Sequence, residues 1–419
     1  MKTTGIFKLK GVVQHYEWGG FDFIPSLLRQ QHPSSLPCAE LWLGVHGGGA
    51  SIAVLPDGSV PLPDLVSAAP GQVLGATVAA RFQNLLPFLF KVLDARKMLS
   101  IQAHPTIPQA QAGFEAEESA GVSLKAPTRN YKDRNHKPEV HVALTDFWML
   151  HGFRPLEEIA ECLRNVEELQ PLMPDFAERL QFAGNDAAAR SALLRELYGW
   201  AMAMPQAEVD SLLNPLISRL VMNSPTNKEL PDFWAVRAAR EFPLPDGHRD
   251  RGIFSIYLLN LVRLQPGEAT YQSAGTLHAY LEGVNVELMA NSDNVLRGGL
   301  TPKNVDVAEL MRVLRFDEGK VDIIHGIDAG NGETVYPTPA VEFEISRIQC
   351  SKDKEYHSGT RTGPDILIVL EGEVTATADG DKLQINKGES FFATQDCSYE
   401  ITCQSESAVV FKASVPSVR

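Results

Sequence analysis

The sequence predicts a mainly β protein that carries a helical insertion, its sheets folded over as a β-sandwich or barrel. Three observations lead there. Short apolar segments of strand length, broken by Gly and Pro, fill the first 150 residues. A second run of such segments fills the last 100. Between them, from Pro155, apolar residues switch to helical spacing.

In chain order, Gly11-Val12-Val13-Gln14 leads into Tyr16-Glu17-Trp18-Gly19-Gly20, and Glu40–Val45 and the dense apolar run Leu86–Leu93 follow as strands. Met98–Ala103 is the next strand, closed by Pro105, and Pro108–Ser119 is a short helix with Glu115, Glu117 and Glu118 outward. Leu156, Ile159, Leu163 and Val166 then recur on one helical face, with Glu157, Glu158, Arg164 and Glu167 between them. Pro155 suits the first turn of that helix. Further helices are expected at Ser191–Trp200, at Val209–Val221 with an interruption at Pro215, and at Pro231–Glu241. Strands resume after Gly252 with Ile253–Leu261. In the last block Ile366–Leu370 and Val374–Thr377 flank Gly372, Asp379-Gly380-Asp381 is a turn, and Gly388-Glu389-Ser390-Phe391-Phe392 opens another strand. The expected division is therefore a β domain over 1–155 and 244–325, an all-α insertion over 156–243, and a terminal β domain over 326–419. A chain of 419 residues is too long for one compact core, which agrees with several domains.

Composition narrows the function. Hydrophobic residues at 44% and charged residues at 21% are those of a globular protein, which excludes a disordered chain. No apolar run approaches the roughly 18 residues of a membrane span. Lys2, Lys8 and Lys10 are not followed by the apolar stretch of a secretory signal. Cys38, Cys162, Cys350, Cys397 and Cys403 are scattered and form no CxxC pair, so a disulfide framework or thiolate metal site is not expected. The expected location is the cytosol. Lys and Arg total 38 against 52 Asp and Glu, a net charge of −14 that speaks against nucleic acid as a partner. A small anionic substrate remains compatible, because a few local cations override the mean field inside a cleft. A monomer or weak homo-oligomer without a membrane partner is expected.

Four side chains carry the chemistry. Gln102 and His104 are two apart, so a strand points both to one face. Glu139 in Asn135-His136-Lys137-Pro138-Glu139 and His278 in Gly275-Thr276-Leu277-His278 add a carboxylate and a second imidazole. An amide oxygen, two imidazoles and a carboxylate suit a borderline divalent ion and leave room for water or substrate. Gly267, Ser273-Ala274-Gly275 and His278 are spaced as in the second cupin motif, with Ser273 in place of the usual proline. Gln102, His104 and Glu139 resemble the first cupin motif, with an unusual insertion before the glutamate. That resemblance implies cupin-type double-stranded β-helix (jelly-roll) barrels.

Longer blocks resemble the type I mannose-6-phosphate isomerase family. They are Phe88–Leu93 with Leu99–Pro105, then Asn135–Glu139, then His278–Leu281 running through Val286–Lys303, and they keep the family's order. Tyr16–Gly20 and Glu40–Gly44 also fit, whereas Val45-His46-Gly47-Gly48 departs from the family's more usual His-Pro step. The family interconverts mannose 6-phosphate and fructose 6-phosphate by proton transfer between C1 and C2 through a cis-enediol. The resemblance implies one Zn2+ per chain, held by Gln102, His104, Glu139 and His278. It implies Arg297 as the essential cation at the reacting oxygens, with Glu287 or Lys137 as the base. Ser100 and Lys303 match phosphate-binding positions, and Lys91 matches one pointing toward the cleft. Tyr280 is placed either to hydrogen-bond a sugar hydroxyl or to pack inward. His136 and His141 flank Glu139 without being expected as ligands. No histidine falls between Gly372 and Gly388, so the terminal block is expected to be a metal-free cupin half.

Two other readings compete. A cupin dioxygenase would hold redox-active iron with histidines and carboxylates, whereas Gln102 among the donors and the cations Arg297 and Lys303 favour a redox-neutral metal and an anionic sugar. A non-catalytic sugar-binding barrel would not need both a full donor set and acid–base groups.

Overall fold

The computed structural model describes residues 2–417. Met1, Val418 and Arg419, at the outer ends of the first and last expected segments, lie outside the described residues.

Among the described residues three antiparallel sheets of eleven, nine and four strands are flanked by helices, and helix and strand take comparable shares. The molecule is thus a mixed α/β protein, not a mainly β one. Nor do the sheets close. The eleven-stranded sheet runs from Ile324–His325 to Val12–Gln14 along one path, and its side branches end in Leu259–Leu264 and Leu296–Gly299. Among the described residues none of these ends pairs with another to complete a barrel. The nine-stranded sheet likewise ends at Ile327–Gly330 and Gly58–Pro61. The expectation of cupin barrels is therefore overturned. Alternation and glycine turns report which face of a strand is buried; closure depends on how the first and last strands meet, which no local pattern encodes.

The nine-stranded sheet joins both ends of the chain. Ile6–Lys10 lies between Ser390–Ala393 and Ile52–Leu55. The eleven-stranded sheet is organised by one long strand, His278–Ala290. Its second half pairs with Phe88–Ala95 and Glu139–Ala143, and its first half with Phe147–Phe153 and, at His278, with Ile101–Ala103. A register shift between Tyr280 and Glu282 inverts the alternation. His278 and Tyr280 consequently share an inward face with Glu287, whose carboxylate Tyr280 reaches. On the opposite face Ala279 and Leu281 enter a core shared with the helices, and Val284, Val286 and Leu288 enter a second core.

The helices follow their apolar stripes. Leu156–Asn165 buries Leu156, Ile159, Ala160 and Leu163. Asp186 caps Ala187–Ala203 by accepting from the backbone N–H of Ala188 and Ala189. Thr106 and Gln109 form a capping box that opens Ile107–Ser119. Three local expectations fail. Pro215 does not interrupt Gln206–Asn223, because buried Leu213, Leu216, Ile217 and Leu220 hold the helix through one missing hydrogen bond. Ile253–Leu258 is helical, and the strand starts only at Leu259. Its residues are buried on every side, so the apolar run has no period to separate helix from strand. Leu62–Ala68 and Ala76–Arg81 add helices to a stretch expected to be mainly short strands. Among the described residues no helix is long and apolar enough to cross a membrane, and all five cysteines are free.

Candidate metal centre

One cross-strand row builds the site. Arg297 lies opposite Gln102, Gln102 opposite His278, and His278 opposite His151, across four adjacent strands. Directly opposed residues present their side chains to the same face. His104 follows one residue past the Ile101–Ala103 strand, and Glu139 opens the neighbouring Glu139–Ala143 strand.

His104, Glu139 and His278 converge, fully buried, with their donor atoms all within 4.8 Å of one another. His104 Nε2 lies 3.5 Å from Glu139 Oε1, and His278 Nε2 lies 3.4 Å from Glu139 Oε2. Ligands sharing one tetrahedral zinc stand about 3.3 Å apart, so these separations fit a common ion. Among the described residues His104 Nε2, Glu139 Oε2 and His278 Nε2 also have no hydrogen-bond partner although buried, a costly arrangement unless something else satisfies them. The far ring nitrogens are engaged. His104 Nδ1 is 2.7 Å from the Asn294 carbonyl and His278 Nδ1 is 3.0 Å from the Thr276 carbonyl. Donation from Nδ1 leaves each Nε2 lone pair facing the cluster.

Electrostatics agree. Burial, followed by the Lys137 ammonium, pushes the His104 imidazole down to about 4, so it is neutral and able to ligate at pH 7. Burial opposes the charge on Glu139, but Lys137 and His104 outweigh it and hold the carboxyl well below its usual range. Lys137 Nζ is 2.9 Å from Glu139 Oε1.

The other expected site residues fall into two groups. Lys91, Glu287 and Tyr280 belong to a buried relay. Lys91 Nζ sits 3.3 Å from Glu40 Oε1 and 2.9 Å from Glu287 Oε2, and Tyr280 donates its phenol proton to Glu287 Oε1 at 2.7 Å. Burial disfavours the Lys91 ammonium, yet Glu287 and Glu40 raise it above its ordinary value. Burial and then Glu287 raise the Tyr280 phenol well above its own. Both oxygens of Glu287 are thus engaged. The second group is unpaired. Gln102, Ser100, Arg297 and Lys303 have no side-chain hydrogen bond or ion pair among the described residues. Burial lowers the Arg297 guanidinium from its usual value. Burial, then Arg297 and Lys132, lower the Lys303 ammonium.

Sequence reading overlooked Lys132, whose charge is felt at Lys303 and which also lacks an ion-pair partner among the described residues. It lies just upstream of the Asn135–Glu139 block, and no motif singles it out. Glu40 was missed as the second carboxylate on Lys91, although it falls in a recognised segment. His141 donates to or accepts from Thr270 Oγ1 at 2.9 Å and stays outside the cluster, and His136 pairs with Glu342. His46 stands 3.5 Å from Asp293.

Bare imidazole and carboxylate donors gathered on a buried sheet face, with unpaired cations alongside, define a mononuclear metalloenzyme. Relatives make the class specific. The profile of the phosphomannose isomerase type I catalytic domain matches residues 6–156. Mannose-6-phosphate isomerase of Escherichia coli (strain K12) is 38% identical over 388 residues, covering 92% of this chain and 94% of that protein. The Mus musculus mannose-6-phosphate isomerase is 34% identical over 392 residues, covering 90% of each. A structure of the Salmonella typhimurium mannose 6-phosphate isomerase bound to substrate (f6p) and zinc superposes with a TM-score of 0.86 at 34% identity, over 99% of this chain and 100% of that one. The chain belongs to the type I phosphomannose isomerase family.

Proposed function

We propose that the chain reversibly interconverts mannose 6-phosphate and fructose 6-phosphate, with one zinc ion held by His104, Glu139, His278 and Gln102. The observation that carries this reading is the trio of buried, unpartnered donor atoms at ion-sharing separations, in a row that also presents the unpaired Arg297. When bound, zinc supplies a Lewis acid that orients the sugar oxygens and stabilises charge developing on them.

The protein's own residues supply the rest. Arg297 offers a permanent cation to the oxygens of the cis-enediol. Glu287 takes a proton from one of C1 and C2, exchanges it with solvent and delivers a proton to the other. Lys91 and Tyr280 hold its carboxylate in place, which supports a fixed proton carrier rather than a mobile one. Lys137 is the alternative carrier, but its contact with Glu139 supports a part in balancing the ligand's charge. Ser100 and Lys303, joined by Lys132, bind the phosphate, and the absence of carboxylate partners on these cations among the described residues supports that role. All of these groups come from one chain, which supports a monomer or weak homo-oligomer as the working unit. Free cysteines support a reducing compartment, the cytosol. The chain divides into a part over 1–155 and 244–325 that holds the site, a part over 156–243 and a part over 326–419.

Incubation with fructose 6-phosphate in heavy water tests the reaction. Solvent deuterium is expected at C2 of the mannose 6-phosphate formed. Formation of no mannose 6-phosphate, or of a product oxidised by dioxygen, would overturn the assignment.

A further inference from the structure

We infer that Asn294 is a positioning residue for the metal centre, joining the segment that leads into Lys137 and Glu139 to the ring of His104. The inference rests on the metal reading above and extends it to a residue that touches neither ion nor sugar.

Asn294 is fully buried in the connection between the His278–Ala290 and Leu296–Gly299 strands. Its Oδ1 accepts from the backbone N–H of Lys132 at 2.7 Å and of Asp133 at 3.2 Å. Its Nδ2 donates to the carbonyls of Asp133 at 2.9 Å and Asn135 at 2.8 Å, and approaches Asp133 Oδ1 at 3.2 Å. An amide has two acceptor sites and two donors, and all four are used on one short segment. That segment ends two residues before Lys137 and four before Glu139. Ser292 closes the arrangement, accepting from Asn294 N at 3.2 Å and donating to Asp133 Oδ1 at 2.9 Å.

The main chain of the same residue does a second job. Its carbonyl accepts from His104 Nδ1 at 2.7 Å, across 190 positions of sequence. His278 is oriented differently, by the carbonyl of Thr276 two residues away, so its ring is fixed by its own strand end. His104 depends on a carbonyl brought from far along the chain, and the Asn294 side chain anchors that carbonyl. One residue therefore sets the tautomer of one ligand and the approach of another. An aspartate has the same shape but would turn an oxygen toward two carbonyls and the Asp133 carboxylate, with no proton to offer.

The test is Asn294→Asp in the full-length protein. Zinc affinity is measured by competition with a chromogenic chelator, and the His104 ring by nitrogen-15 NMR of the histidine-labelled, metal-free protein. Outer partners of metal-ligating histidines change affinity by about 10–100-fold, and a weakening of that size is expected. Loss of the single Nδ1–H tautomer at His104 is expected with it. A residue that only stabilises the fold would lower the melting temperature while leaving zinc affinity within twofold and the tautomer unchanged, and that result would overturn the inference. Should Asn294→Asp not fold, Ser292→Ala removes one support and keeps the amide. A several-fold weaker affinity is expected there, and wild-type affinity would be contrary. Failure of the unmodified protein to bind zinc would instead sink the metal reading, and the inference with it.

Discussion

Two buried polar clusters, one on each large sheet, show what separates a site from a scaffold. In the eleven-stranded sheet three donor atoms face one another unsatisfied, and Arg297 has no partner among the described residues. In the nine-stranded sheet the polar groups consume one another. Lys412 pairs with Glu333 and donates to Tyr356 at 2.9 Å, while Asp365 accepts from Tyr399 at 2.7 Å and faces Arg361 at 3.2 Å. Only one oxygen of Asp365 and Nε of Arg347 remain unpaired there among the described residues. Both clusters hold buried charge, yet only the first leaves coordination and charge available to a ligand. Burial of ionisable groups is therefore not the signal of function here; unfinished pairing is.

Breaking the first cluster should have the larger effect. His278→Ala is expected to lose bound zinc and to cut turnover by roughly a thousandfold or more, the scale of losing an electrostatic stabiliser of the transition state. Elemental analysis beside the isomerase assay checks it, and near-stoichiometric zinc in the variant would remove His278 from the ligand set. Arg297→Ala should keep metal and fold while turnover falls by about a hundredfold or more. A wild-type rate would leave the unpaired guanidinium without a task.

The second cluster should respond in stability alone. Lys412→Met strands Glu333 without its cation, and breaking a buried pair costs about 3 kcal/mol. Chemical denaturation should show that loss while zinc content and turnover hold; a fall in turnover with unchanged stability would abolish the distinction between the clusters. The remaining effect is in pH. Burial pushes His104, His141 and His151 down to about 4. Unfolded histidine titrates near 6.5, so as pH drops from about 6.5 to about 4 the unfolded chain takes up protons that the native one refuses. The chelated protein should lose stability across that window. A denaturation midpoint that is flat between pH 7 and pH 5 would contradict the buried, neutral state of these rings.

The two clusters were unequally legible. His104, Glu139 and His278 stand in blocks whose residue types and order speak for a metal, and the structure gathers them from three separate strand ends. The relay through Lys91 was harder, since nothing in Phe88–Leu93 says that Glu40 will face it from the next strand. Lys132 and Asn294 act through backbone placement and charge, which single positions do not announce. Helix and strand were readable where an apolar stripe had a polar opposite face, as in Leu156–Asn165. Ile253–Leu258, buried all round, read as a strand and is a helix. Several strands were readable from short apolar segments and turns, whereas the openness of both sheets depended on long-range edge pairing that alternation cannot carry.

Metal removal and return tests the central claim most directly. After exhaustive chelation isomerase activity should vanish, and stepwise zinc should restore it linearly, with a sharp break at one equivalent per chain. Full activity in the metal-free protein would contradict the account.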